Sequence, residues 1–327
     1  MRRWATGQVE GRVNILRRQA MPSERPPTID PVAARRWAAL PHPDSPWLHQ
    51  EVARRMAERL PWIRLPVTQW VHWEPVGGGQ QARALVMAHY PDSACFEVAA
   101  QVQQAPNASE SIAKHWWQRL LPGRRGAPDV QVVSTPPEGA AQLLWANMLA
   151  HHHADPQALM ADWRRALAPD GFLMFSCFGP DTLRELRALY AELGWPPPVQ
   201  DFTDMHDWGD QLAMAGFADP VMDMEHITLS FDTPARLLAE LRELGRNLHP
   251  QRFGGLRTPA WRRRLEAALD QRLRPSAGAP LELTFEIIYG HALRPSAQRA
   301  APREGLTVHR TRASLRAGES SKPAPKP

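Results

Sequence analysis

PQALMADWRRALAPDGFLMFSCFGPDTLRELRALYAELG, residues 156–194, is the stretch that decides the fold. Leu159, Met160, Trp163 and Leu167 recur at helical spacing and leave Asp162, Arg164 and Arg165 to water. Pro169-Asp170-Gly171 stops that helix and turns the chain. Residues 172–178 then form a short apolar run bounded by turn signals. A strand covered on both faces has this pattern, because neither face needs polar residues, and it points to a parallel α/β sheet. A second helix opens after Gly179-Pro180-Asp181, with Thr182 and Glu185 at capping-box spacing. Ligands of open α/β sheets bind beyond the carboxyl ends of the strands, so Asp181, Arg184 and Arg187 fall near any active site.

The bulk properties narrow the function classes. The chain has 327 residues, enough for one large core or two small ones, and a formal net charge of +5. Residues 1–20 hold five Arg and one Glu, and residues 294–327 hold eight Lys or Arg and two Glu. The two ends thus carry more positive charge than the whole, and the middle is net negative. That weighs against a nucleic-acid binder, which needs a basic face on the fold itself. Cys95 and Cys177 supply neither a disulfide framework nor a metal-ligand set, and they fit buried thiols of a reducing, cytoplasmic setting. No run of about 18 apolar residues reads as a membrane span. Residues 1–28 and 295–327, polar and rich in Pro and basic residues, read as disordered arms around one domain at 29–294.

Within that domain, residues 67–73, 94–98, 130–133 and 143–147 read as four further parallel strands before 172–178. Gly77-Gly78-Gly79 follows the first, and a helix follows from Ala82. This strand–glycine turn–helix order suits a nucleotide-binding unit, where glycine lets the backbone approach a ligand; it also suits a plain turn. Because the G-x-G-x-x-G spacing is absent, a nicotinamide oxidoreductase ranks last. Three adjacent histidines, His151, His152 and His153, cannot all face one ion on a regular element, so one His lining a pocket is the better reading. Residues 221–231 and 281–293 alternate as strands around a helical, Arg-rich insertion at 232–280.

The quoted residues 164–187, RRALAPDGFLMFSCFGPDTLRELR, resemble the region after strand four of class I S-adenosylmethionine-dependent methyltransferases. More narrowly, they are similar to the malonyl-[acyl-carrier-protein] O-methyltransferases of biotin synthesis. LLWANMLAHHHADP (143–156), DMHDWGDQLAMAGFADPVMDMEHITLSF (204–231) and GRNLHPQRFGGLRTPAWR (245–262) agree with this. The resemblance spans roughly residues 30–294. It implies a Rossmann-like doubly wound, mostly parallel sheet with an antiparallel edge formed by the last two strands. It also implies S-adenosyl-L-methionine as cofactor and an acyl carrier protein or coenzyme A thioester as partner, with no nucleic acid and no membrane.

Carried over residue by residue, the resemblance places Glu74, Gly77, Gly78 and Gly79 at the cofactor turn and Asn147 in the line after strand four. The family's glycine pattern is broken by Val76 and Gln80. Its strand-two acid falls on Ala99, which leaves Glu97 either a substitute ribose ligand on the same strand face or an ordinary polar strand residue. Ser134 stands where the family has an acid after strand three. Asp181, Arg184, Arg187 and Arg246 are the expected substrate contacts, since guanidinium donates two parallel hydrogen bonds to a carboxylate. The 232–280 insertion becomes a lid over that carboxylate. The eroded motifs leave a second reading open, a non-catalytic relative that binds or regulates.

Overall fold

The computed structural model describes residues 29–40, 44–99, 130–276 and 278–296. Of the expected arms, 1–28 lies outside them, and so does 295–327 apart from residues 295 and 296; the helical reading around Trp116 and Leu120 lies outside them too. Seven strands form one sheet: β1 Gln69–Trp73, β2 Ala94–Val98, β3 Val130–Val133, β4 Ala141–Ala146, β5 Leu167–Phe178, β6 Ala218–Phe231 and β7 Leu281–Leu293. Their order is β3-β2-β1-β4-β5-β7-β6. The first five pair in parallel, and β7 runs antiparallel between β5 and β6. The expected doubly wound sheet with an antiparallel edge is therefore present.

Along β5 the side chains alternate between two cores. Phe172, Met174 and Phe178 join Leu143, Trp145, Phe285 and Ile287 on one face. Leu173, Phe175 and Cys177 join Leu144, Trp163 and Trp208 on the other. Residues 172–178 are all buried, which explains an apolar run without alternation. On the first face pack α2 (Trp47–Ala57) and α4 (Ala82–His89), which sit on either side of the short α3 (Pro75–Gly78). The second face is covered by α5 (Pro156–Ala166), capped by the Asp155 carboxylate, and α7 (Met205–Met214), capped by Asp204. Truncating the fully buried Trp163 of α5 to Ala would cost roughly 3–5 kcal/mol. The remaining helices are α1 (Pro31–Ala38), α6 (Arg184–Glu192), α8 (Pro234–Leu244) and α9 (Pro259–Arg272).

Two local expectations are corrected. The Pro169-Asp170-Gly171 turn lies inside β5 as an irregularity: the β4–β5 register shifts there, and Asp170 takes φ +62°. The capping box at Thr182 and Glu185 does not form. β7 overshoots β5, whose last paired residue is Phe178 opposite Ile287, so residues 281–286 present free backbone groups on that side. The loop after β5 saturates them instead. Gly179 N–H donates to Glu286 O at 2.9 Å and Leu183 N–H to Thr284 O at 2.7 Å. The Thr182 hydroxyl exchanges hydrogen bonds with the Glu286 backbone. The Glu185 carboxylate accepts from the N–H and hydroxyl of Thr284.

Candidate functional site

The strand order reverses direction between β1 and β4, the place where open α/β sheets hold ligands. A cavity of about 400 Å³ lies there. Its floor is the carboxyl ends of the strands: Trp73 ending β1 with Glu74 after it, Val98 ending β2 with Ala99 after it, Ser134 after β3 and Asn147 after β4. Trp37 of α1 and His49 of α2 cover it, and Leu244 closes one side.

The glycines divide the work at this floor. A Cβ on Gly78 would lie 2.7 Å from the Asn147 carbonyl oxygen, so Gly78 exists to let α3 press against the end of β4. Gly79 turns the chain at φ +110°. A Cβ on Gly77 would meet nothing within 4 Å, so this is the glycine that faces open space. Asn147 binds these pieces together. Its Nδ2 donates to His49 O at 2.8 Å and to Gly78 O, while its Oδ1 accepts from the Ser176 hydroxyl at 2.6 Å. The side chain is thus committed to positioning α2, α3 and β5. His49 Nδ1 lies 2.7 Å from Gly77 O and adds a second link between α2 and the turn.

Glu74, Gly77, Gly78 and Asn147 line the cavity, as does Ala99; Gly79 and Glu97 are not among its lining residues. Glu97 pairs with His72 and Val132 inside the sheet, and its carboxylate accepts from Arg83 of α4 at 2.9 Å.

A smaller cavity of about 90 Å³ continues beyond β5, under α8. Phe178, Leu183, Leu186, Phe202 and Phe285 make it apolar, and Arg246 contributes its one cationic side chain. Arg246 donates to Gly245 O at 2.9 Å and lies 5.2 Å from the Trp37 ring centre, and burial holds its pKa below the usual arginine value. The other three expected substrate residues stand apart from this lining. Arg187 is half-buried and donates to the carbonyls of Pro180 and Thr182, with its pKa also lowered by burial. Arg184 is exposed and pairs with Asp181 and Glu185. Asp181, His226 and Glu286 bring ligand-type atoms within 4.8 Å of one another. There the Asp181 N–H donates to Glu286 Oε2 at 2.6 Å, and its carboxylate meets His226 and Arg184, so the group reads as an anchor of the loop on β7.

The three histidines separate as expected of consecutive residues. His151 is buried, accepts from Phe178 N–H, and is held neutral by desolvation. His153 also lines the larger cavity, and its Nδ1 lies 2.8 Å from Asp155 O. His152 borders both cavities. Nothing in the sequence singles out His49 or Trp37: single residues on amphipathic helices carry no motif.

No family model matches the chain. It is 35% identical over 270 residues to a malonyl-[acyl-carrier protein] O-methyltransferase of Gallionella capsiferriformans, covering 81% of this chain and 89% of that one. It is 34% identical to the protein of the same name from Laribacter hongkongensis, covering 77% and 84%. A solved structure of a putative methyltransferase from Bacillus halodurans is similar with a TM-score of 0.46 and 14% identity, covering 74% and 100%. On the strength of the two sequence relatives, the chain belongs to the malonyl-[acyl-carrier protein] O-methyltransferase family.

Proposed function

We propose that this protein transfers a methyl group from S-adenosylmethionine to the free carboxylate of a malonyl group held as a thioester on an acyl carrier protein. The observation that carries this reading is the pair of adjoining cavities: a larger one at the sheet's reversal point, and an apolar one with a single arginine beyond β5. Gly77, Ala99 and Ser134 leave the larger cavity open to a nucleoside-sized ligand, and Gly78 packs α3 down so that its backbone forms the floor. In shape the residues fit the cofactor. At the ribose they offer Ala99 where the family has an acid, so the hydroxyls must be met by Glu74 or by backbone groups.

Bound there, S-adenosylmethionine supplies a methyl group made electrophilic by its sulfonium. The acceptor carboxylate is already ionised near neutral pH, so no general base is required of the chain. What remains for the protein is alignment and exclusion of water. Arg246 would hold the carboxylate from the apolar side, and Trp37 and Leu244 would cover the junction. Arg184, Arg187 and Asp181 lie outside both cavity linings and would meet the carrier arm or, alternatively, a coenzyme A moiety.

A specific observation favours a second reading, a non-catalytic relative: neither Ala99 nor Ser134 is acidic. Incubation with S-adenosylmethionine and malonyl-acyl carrier protein, read by mass spectrometry of the acyl arm, separates the two. Formation of the methyl ester supports the enzyme, and unchanged malonyl thioester with folded protein supports the relative.

A further inference from the structure

Among the described residues, His152 and Leu244 alone border both cavities. His152 ends the short turn Ala150–His152 after β4, and Leu244 is the buried last residue of α8. The imidazole of His152 packs against that of His151, with ring centres 4.0 Å apart, and meets Trp37 edge-on at 6.0 Å.

Gly245 shows that the ring's seat is built. Its backbone is fully extended, φ 168° and ψ −165°, a conformation open to any residue. Glycine is therefore not needed for the chain path. A Cβ there would lie 2.9 Å from His152 Nε2 and 3.1 Å from Cε1. The missing side chain is the space the imidazole occupies.

We infer that His152, seated against Gly245, is the positioning partition between the two cavities and sets the alignment of the methyl donor with the acyl carboxylate. This rests on the methyltransferase reading above. Any group passing from one cavity to the other crosses the line between His152 and Leu244. The ring's place there depends on Gly245, a residue of the 232–280 insertion, so the seating of that insertion and the alignment of the two ligands are coupled.

The test uses the full chain and three variants: His152→Ala, Gly245→Ala and the double variant. Calorimetry with S-adenosylhomocysteine, in the absence and presence of malonyl-pantetheine thioester, reads the coupling between the cavities without turnover. Wild type is expected to bind one ligand about fivefold or more tightly when the other is present. His152→Ala should abolish that coupling, leave the affinity for S-adenosylhomocysteine alone within about twofold, and lower kcat about tenfold or more with little change in KM. Gly245→Ala should reproduce the loss by displacing the ring. In the His152→Ala background it should add almost nothing, because the clash is gone. Additive losses in the double variant, or coupling and kcat unchanged in His152→Ala, would overturn the inference while the methyltransferase reading stands. Wild type that binds neither ligand would overturn both.

Discussion

Arg83 Nη1 donates to Glu97 Oε1 at 2.9 Å, and this ion pair holds the one acid of β2 against α4 rather than at the cavity. Ala99, two residues on, lines the cavity wall without a charge. Glu97→Ala should therefore leave affinity for S-adenosylmethionine almost unchanged. Its cost should be about 0.2–1 kcal/mol of stability, the usual worth of a pair with one exposed partner, read by denaturant titration. A tenfold loss of affinity would show that Glu97 reaches the ligand.

Ala99→Asp should do the opposite. An acid there would accept hydrogen bonds from vicinal hydroxyls, and a charged hydrogen bond of about 1.5–3 kcal/mol corresponds to a tenfold or greater gain in affinity. Calorimetry checks it; no gain would place the ribose elsewhere.

Gly77 and Gly78 should separate packing from binding. Gly78→Ala brings Cβ to 2.7 Å of the Asn147 carbonyl, a backbone group that cannot yield, so a stability loss of about 1–3 kcal/mol is expected. A Cβ at Gly77 meets nothing within 4 Å in the protein, so in Gly77→Val thermal stability should hold while S-adenosylmethionine binding falls. Equal stability losses in both variants would contradict this division.

The ring of His72 is fully buried in β1, stacked on Trp70 at 5.6 Å, with neither nitrogen hydrogen-bonded. Desolvation, helped by the nearby Arg83 charge, lowers its pKa to about 3. Below the unfolded value of about 6.5 the unfolded chain binds a proton that the folded chain refuses, so stability is full above that pH and falls as pH drops toward 3. For this one group the slope is at most about 1.4 kcal/mol per pH unit. His72→Phe should flatten that part of the pH–stability curve, measured by denaturant unfolding between about pH 6.5 and 4.5. An unchanged slope would assign the effect to His151 or the other buried histidines.

The sheet was readable because the decisive signal is local. An apolar run between two turn signals means a strand covered on both faces, and residues 172–178 lie where β4 and β7 flank them. The Thr182–Glu185 box was misread because the competing partner is far away in sequence: β7 exposes unpaired backbone groups past Phe178, and filling them outweighs a local cap. Glu97 was placed by strand parity alone. Parity gives the face, but the cavity opens only beyond the strand end, and Arg83 claims the carboxylate first. Asn147 stood out in the sequence, yet its three hydrogen bonds with His49, Gly78 and Ser176 across three elements give it a structural task no motif spells out.

Calorimetric titration of the wild-type protein with S-adenosylmethionine bears most directly on the proposed activity. Saturable one-to-one binding with Kd below about 1 mM, weakened by Gly77→Val, is the expected result. Folded protein that gives no binding heat at millimolar ligand would contradict it.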